Sequence, residues 1–191
     1  MVKILAFAGS ARKNSFNQQL VTIAASGAKA AGAEVTVLDM ADFDMPIYNA
    51  DNEASEGMPE KARAFKQLLI EHDGFLIASP EYNSAFSPLL KNVLDWASRA
   101  EAAGEPPLVA YKGKFAAIMA TSPGAIGGLR GLVFLRMLLA NIGVTVLPNQ
   151  RAVPFALQAF NTDGTLIVEA DQCAVLALGA ELANTLARLK A

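Results

Sequence analysis

Short apolar runs alternate with amphipathic stretches along this chain, and this alternation limits the fold more than any other feature of the sequence. The runs carry apolar residues at consecutive positions, as strands covered on both faces of a sheet do. The stretches between them carry apolar residues at helical spacing. The predicted strands are Lys3–Ala8, Val35–Leu38, Phe75–Ser79, Phe115–Ala120 and Val144–Leu147. The predicted helices are Asn17–Ala31, Pro59–His72, Leu89–Ala100, Leu129–Ile142 and, less sharply bounded, Glu169–Leu189.

Alternating strands and helices predict parallel strands joined by right-handed crossovers. The pattern fits an α/β fold of the flavodoxin-like type, a three-layer sandwich with helices on both faces of a five-stranded parallel sheet of order 2-1-3-4-5. With 191 residues, 53% of them hydrophobic, the chain can build such a core as one domain over residues 1–191. In this order the ligand crevice lies outside the carboxyl ends of strands one and three, where the strand order reverses.

Composition excludes several classes of function. A net charge of −2 and a pI near 5.4 give no basic surface for nucleic acid or an anionic membrane. No apolar run is long enough to span a membrane, so we expect a soluble cytoplasmic protein. The single cysteine, Cys173, excludes an internal disulfide and a thiolate metal cluster, and we expect it to be a small packing residue.

Two further features are expected to be structural rather than functional. The only histidine, His72, is predicted to lie at a helix end, and no partner at metal-ligand spacing accompanies it. The polar, acidic stretch Tyr48–Gly57 is predicted to be flexible, with Glu53 and Glu56 in solvent. The sequence therefore predicts no metal site.

The loop after the first strand, Gly9–Asn17, contains two hydroxyls, a guanidinium, an ammonium and two amides just before a helix. A phosphate monoester is bound by such a set: free N–H groups, a favourable helix dipole, hydroxyl donors and a forked cation. The chain has neither the G-x-G-x-x-G turn of a dinucleotide site nor a P-loop. The alternative is a polar loop that only caps the first helix, with Ser15 or Asn17 as N-cap.

The loops after strands three and four are the other candidates for ligand contact. Pro80–Asn83 offers an aromatic ring and backbone amides to the rim of a heteroaromatic ring, although Tyr82 in an ordinary surface turn is an equal alternative. The Ser87-Pro88 pair that follows predicts a helix start. Thr121–Gly128 is rich in glycine, which permits close backbone approach to a ligand.

Taken in order, these motifs resemble one known family. They are G-S-x-R-x-x-S-x-N, P-E-Y-N-x-x-x-S-P-x-L-K-N-x-x-D-W and S-P-G-x-x-G-G. The pattern is similar to the NAD(P)H-dependent FMN reductases, which include bacterial quinone, chromate and azo-dye reductases of flavodoxin-like fold. The resemblance runs from about Val2 to Gly143 and includes Asp44–Tyr48.

The resemblance implies a site for bound FMN. It implies no catalytic side chain and no metal. The FMN phosphate would be held by Ser10, Arg12, Ser15 and Asn17 with the amides around Phe16. The isoalloxazine ring would be lined by Pro80, Glu81, Tyr82 and Asn83. Ser122, Pro123 and Gly124 would lie near the ring or the ribityl chain.

The resemblance also implies the reaction and the partners. Hydride would pass from NADPH or NADH through FMN to a small acceptor such as a quinone, an azo compound, chromate or free flavin. The protein would form a homodimer or homotetramer, with Lys91, Asn92, Asp95 and Trp96 in structural or interfacial positions. Relatives often carry Gln and His where this chain has Leu132 and Phe134, which predicts a more apolar helix face.

Two other functions fit the same loops. The first is a flavodoxin-like carrier that exchanges single electrons with a protein partner. The second is a redox sensor that binds flavin and signals to a partner. Rapid hydride uptake from a nicotinamide would distinguish the reductase from both, and the preference between NADPH and NADH stays open.

Overall fold

The computed structural model describes residues 1–190, which form one five-stranded parallel sheet and a small antiparallel hairpin. Numbered one to five along the chain, the strands of the large sheet follow the predicted order 2-1-3-4-5. The large sheet consists of β1 (Lys3–Ala8), β2 (Glu34–Val37), β3 (Gly74–Ala78), β6 (Phe115–Thr121) and β7 (Thr145–Val153). The hairpin consists of β4 (Glu81–Tyr82) and β5 (Ala85–Phe86).

Helices cover both faces of the large sheet. The long ones are α1 (Phe16–Ala30), α3 (Glu60–Glu71), α4 (Pro88–Ala97), α5 (Leu129–Asn141) and α7 (Glu169–Lys190). The short ones are α2 (Ala50–Glu56), α6 (Ala156–Ala159) and a 3₁₀ turn at Met40–Phe43. No helix within residues 1–190 has both the length and the apolar character needed to cross a membrane.

Alternation along the strands divides the apolar core into two layers. In β1, Ile4 and Ala6 point into the layer beneath α1 and α7, whereas Leu5 and Phe7 point into the layer beneath α3, α4 and α5. All four side chains are fully buried. Continuous apolar runs are thus explained by a sheet covered on both sides.

Helices α1 and α7 touch backbone to backbone where each carries a glycine. A Cβ atom added to Gly27 would lie 2.0 Å from the carbonyl oxygen of Leu176. A Cβ atom added to Gly179 would lie 1.8 Å from the carbonyl oxygen of Ala24. The two glycines therefore set the distance between the helices that cover one face of the sheet.

Several element boundaries differ from the prediction. The last strand runs on to Val153 instead of ending at Leu147, with a register irregularity opposite β6 between Ala116 and Ile118. Residues 148–153 were not predicted as strand, because Pro148 and the polar residues after it are typical of a loop. Helix α4 ends at Ala97 and not at Ala100, because Ser98 caps it and donates its hydroxyl to the carbonyl oxygen of Asp95.

The Tyr48–Gly57 stretch, predicted to be flexible, contains a short helix that was not predicted. Asn49 caps this helix by accepting from the N–H groups of Asp51 and Asn52, and Gly57 ends it with a positive φ of 77°. Glu53 is not free in solvent, because it pairs with Arg99 at 2.9 Å. The segment has no apolar periodicity, so its capping residues were the only signal of a helix.

Three other residues test the predictions directly. His72 does lie at the end of α3, with its ring nitrogens 2.7 Å from the carbonyl oxygen of Leu68 and 2.9 Å from the hydroxyl of Thr36. Cys173 is exposed, so the expectation of a packing residue was wrong. Leu132 is fully buried in the core, so of the two residues expected to make the helix face more apolar only Phe134 is exposed.

A buried ammonium joins α3 to the loop that follows α4. Lys66 is only 1% exposed and contacts Glu101 at 3.4 Å, Glu105, and the carbonyl oxygen of Arg99 at 2.8 Å. The hydrogen bond from Lys66 is the main reason why the pKa of Glu105 lies below its ordinary value. A carboxyl with a lowered pKa adds stability above its unfolded pKa, near 4.3, and loses that contribution as pH falls through the folded pKa.

Replacing Glu105 with glutamine should therefore reduce stability near neutral pH and have little effect in acid. We expect a loss of about 1–2 kcal/mol in the free energy of unfolding at pH 7. The difference from wild type should shrink below about pH 4. Urea unfolding measured from pH 3 to pH 7 tests this, with Glu56→Gln on exposed α2 as the control. A pH-independent difference would contradict the assigned role of the carboxylate.

Candidate functional site

Three loops meet at the carboxyl edge of the sheet, and side-chain hydrogen bonds join them. The hydroxyl of Ser87, at the start of α4, donates to the carbonyl oxygen of Gly9 at 2.6 Å. The amide of Asn17 donates to the carbonyl oxygen of Thr121 at 3.0 Å and accepts from its N–H at 3.1 Å. Glu81 accepts from the N–H of Gly131 at 2.9 Å. Each loop is thus fixed relative to the other two.

The first loop leads into the N-terminus of α1 and borders a cavity of about 390 Å³. Ser15 caps the helix, and both Ser10 and Ser15 are buried. Arg12 and Lys13 are exposed and form no ion pair with another residue among 1–190. The first turn of α1 contains no acidic residue. A helix N-terminus with hydroxyls and unpaired cations fits a phosphate monoester.

Two of the residues predicted to bind the phosphate use their side chains in contacts within the protein. The side-chain amide of Asn17 is used in the bonds to Thr121, so its backbone N–H is the part left for a ligand. The ring of Phe16 stacks on Phe160 with 5.5 Å between ring centroids, which leaves the Phe16 N–H at the helix start. Sequence reasoning identified these positions but had no signal for Thr121 or Phe160 as their partners.

The second loop is a tight hairpin. Pro80 is followed by β4, and the turn residues Asn83 and Ser84 both have positive φ, 51° and 69°. Two consecutive left-handed residues are the geometry of a type I′ turn, whose twist matches paired strands. Tyr82 lies 49% exposed beside the turn. The hairpin was not predicted, because the turn lacks the usual Asn-Gly or Asp-Gly pair.

Glu81 fastens this hairpin to α5. Its carboxylate accepts from Gly131, within the first turn of α5, where Gly128 offers no capping side chain. A negative charge at this place also interacts favourably with the helix dipole. Glu81 was predicted to contact the isoalloxazine ring through its backbone. Its side chain has a different, structural role, because it anchors the hairpin to α5.

Removing this carboxylate should loosen the hairpin. For Glu81→Ala we expect a loss of about 1–2 kcal/mol in unfolding free energy and, for the FMN site that the family resemblance implies, an affinity weakened by up to about tenfold. Thermal unfolding and a fluorescence titration with FMN measure the two effects. Glu81→Gln, which still presents an oxygen to Gly131, should recover most of the affinity. Equal losses in both variants would contradict an anchoring role.

The third loop depends on two glycines that no other residue could replace without strain. Gly127 and Gly128 have φ of 62° and 89°, and a Cβ atom on Gly127 would lie 2.6 Å from the carbonyl carbon of Val153. On the other side, the N–H groups of Phe155 and Ala156 donate to the carbonyl oxygens of Gly124 and Ser122. The backbone of this loop is therefore held from both sides.

The residues of the third loop that were predicted to contact a ligand remain accessible. Pro123 and Gly124 are exposed and Ser122 is half-buried. A Cβ atom on Gly124 would meet only the Ser122 hydroxyl, at 3.8 Å. The loop thus presents backbone at the edge where the other two loops meet.

Comparison with known proteins gives one consistent result. The profile of the NADPH-dependent FMN reductase family matches residues 2–158. A 2-hydroxy-1,4-benzoquinone reductase from Burkholderia sp is 40% identical over 150 residues, which are 78% of this chain and 75% of that protein. An NAD(P)H-dependent FMN reductase from Pseudomonas aeruginosa is 33% identical over 167 residues, which are 87% and 85% of the two chains.

A solved structure is similar over nearly its whole length. FerB, a flavoenzyme NAD(P)H:(acceptor) oxidoreductase from Paracoccus denitrificans, superposes with a TM-score of 0.81. The sequences are 27% identical, and the match covers 98% of each chain. The likeness extends beyond residue 158, where the family profile ends, and so includes α7.

Proposed function

The chain belongs to the NADPH-dependent FMN reductase family, and we propose that it binds FMN between its three loops and reduces quinones with electrons from NADPH or NADH. It is an oxidoreductase that uses a nicotinamide and a flavin, as its relatives are. This membership favours a reductase over an electron carrier or a redox sensor.

The main support for this proposal is that side-chain hydrogen bonds hold the three loops together at one edge of the sheet. The first loop offers hydroxyls, unpaired cations and the N-terminus of a 15-residue helix, which suits the phosphate. Ser10, Arg12, Ser15 and the N–H groups of Phe16 and Asn17 would hold it. This arrangement also gives a role to Ser10 and Arg12, whereas a capping role explains only Ser15.

The other two loops suit a flat ring beside the phosphate. Pro80–Asn83 would line one edge of the isoalloxazine, and Ser122–Gly124 would approach it with exposed backbone. When bound, the flavin supplies the hydride chemistry, so the chain's own task is to orient it and to leave room for a second planar molecule. We assign no side-chain acid or base.

The finer parts of the proposal concern assembly, acceptors and location. Leu129, Val133, Phe134 and Met137 are exposed large apolar residues on α5, which supports a homodimer or homotetramer. Quinones are the acceptors we favour, ahead of azo compounds, chromate or free flavin. We propose a cytoplasmic location, where nicotinamide donors are available.

Cofactor identification and steady-state kinetics test the proposal together. Denaturing the purified protein should release FMN, identified by mass, rather than FAD or no flavin. With NADPH and a quinone varied together, double-reciprocal plots should be parallel, as expected when the donor leaves before the acceptor binds. A protein that retains no flavin after reconstitution, or retains it and oxidises neither NADPH nor NADH with any quinone, would refute the proposal.

A further inference from the structure

A second cavity, of about 420 Å³, adjoins the first loop on the side of α4. We call the extended segment Asp44–Tyr48 the strap and this space the strap cavity. Its walls are the strap, the 3₁₀ turn, Ala11 of the first loop and the first two turns of α4. Its volume is within the range of roughly 300–1,000 Å³ that is typical of small-molecule sites.

Hydrogen bonds to α4 hold the strap over this cavity. The side chain of Asn92 accepts from the N–H of Tyr48 at 2.8 Å and donates to the carbonyl oxygen of Pro46 at 2.9 Å. The indole N–H of Trp96 donates to the same oxygen at 2.8 Å. Ile47, between these anchors, lines the cavity and is 84% exposed. An aliphatic side chain is therefore held in place at the rim without protein packed around it.

The chemistry of the walls selects a neutral, apolar ligand. The walls consist mainly of aliphatic, aromatic and thioether side chains, among them Met40, Phe43 and Leu89. Among residues 1–190, Asp44 is the only charged residue of the lining, and no basic side chain contributes to it. An anion such as chromate or a sulfonated dye would be repelled here, because nothing compensates its charge.

One polar group of the wall suits a carbonyl oxygen. In the first turn of α4, Pro88 has no N–H, and Ser87 accepts from the N–H of Leu90 at 3.1 Å and from that of Lys91. The N–H of Leu89, a residue of the cavity wall, therefore has no acceptor among residues 1–190 and is the free donor of this turn. A helix N-terminus favours the partial negative charge of a carbonyl oxygen.

From these observations we propose that the strap cavity binds the hydrocarbon part of neutral quinone acceptors. The proposal rests on the proposed reductase function and adds the substrate class: quinones with an apolar ring or substituent, ahead of small or anionic acceptors. Ile47 is then a specificity-determining residue for the acceptor.

The fluorescence of Trp96 can report whether a ligand occupies the strap cavity. Trp96 is the only tryptophan, and it packs with Met45, which also lines the cavity. A quinone in the strap cavity should quench its fluorescence. In flavin-loaded protein without a nicotinamide donor, we expect saturable quenching by 2-methyl-1,4-naphthoquinone. Quenching that stays linear with concentration would overturn the proposal.

The variant Ile47→Asp tests the site further, with Ile167→Asp as a matched control, since Ile167 is 58% exposed and outside the cavity. Because Ile47 is so exposed, the substitution should not impair folding. We expect the quenching midpoint and the KM for the naphthoquinone to rise at least tenfold relative to the control. The KM for 1,4-benzoquinone should change much less.

Three outcomes would overturn the proposal. If Ile47→Asp raises the KM for NADPH instead, the cavity belongs to the nicotinamide donor. If it dissociates an oligomer while the KM values of both quinones stay equal to the control, the cavity belongs to a subunit contact. If the KM values of the two quinones rise equally, the cavity does not select for apolar acceptors. Wild-type protein that cannot oxidise NADPH would instead refute the proposed function itself, independently of the fluorescence result.

Discussion

Replacing Gly27 with alanine is expected to destabilise the protein by at least about 2 kcal/mol, although helix propensity alone predicts a gain of about 1 kcal/mol. The new Cβ atom would lie 2.0 Å from the carbonyl oxygen of Leu176, whereas ordinary van der Waals contact begins at 3.4 Å. That oxygen belongs to the backbone of α7 and cannot rotate away. The two helices must separate, and the buried contacts between them loosen.

Thermal unfolding measures this effect as a decrease of about 4–8 °C in Tm. Ser26→Ala is the matched control, because Ser26 is the exposed neighbour on α1. It should change stability by less than about 0.5 kcal/mol. Gly179→Ala, on the facing helix, should resemble Gly27→Ala, since its Cβ atom would lie 1.8 Å from the carbonyl oxygen of Ala24. A stabilised Gly27→Ala would show that α1 and α7 are further apart than described.

Replacing Arg12 with alanine is expected to weaken FMN binding by about 1.5–3 kcal/mol, or roughly 10- to 150-fold in Kd. The guanidinium is exposed and pairs with no acidic residue among 1–190, so the substitution should leave the stability of the flavin-free protein nearly unchanged. Loss of affinity without loss of stability distinguishes a ligand contact from a structural one.

Quenching of flavin fluorescence in a titration with FMN gives the Kd. Riboflavin, which lacks the phosphate, should bind wild type and Arg12→Ala equally. Arg12→Lys keeps the charge but loses the forked geometry and should be intermediate. Lys29→Ala, which removes a cation from the far end of α1, should have no effect. An equal loss of riboflavin affinity in Arg12→Ala would contradict a phosphate contact.

Apolar periodicity was sufficient for most of the fold. The run Lys3–Ala8 is a strand with the same bounds in the structure, and Leu129–Ile142 differs from α5 by one residue. These segments are predictable because burial on both faces of a sheet, or on one face of a helix, leaves a mark in the residue pattern. The prediction ended the last strand too early, because the second half of the strand is partly exposed and contains Pro148 and Arg151.

The meeting of the three loops at one edge of the sheet could be predicted from the sequence, but the hydrogen bonds that join them could not. The polar residues of the first loop are unusual enough to be recognised. The bonds from Ser87 to Gly9 and from Asn17 to Thr121 join positions 78 and 104 residues apart. Such pairs depend on the strand order in three dimensions and have no local pattern. The strap cavity was missed for the same reason, since Asn92 is one of many polar helix residues until Tyr48 is placed beside it.

The central claim is that a flavin held by the three loops takes electrons from a nicotinamide. An anaerobic absorbance spectrum of FMN-loaded protein, recorded before and after one equivalent of NADPH, tests it most directly. The visible band of the bound flavin should bleach with NADPH and return when a quinone is added. A bound flavin that stays yellow with both NADPH and NADH would contradict a reductase function and favour an electron carrier or a redox sensor.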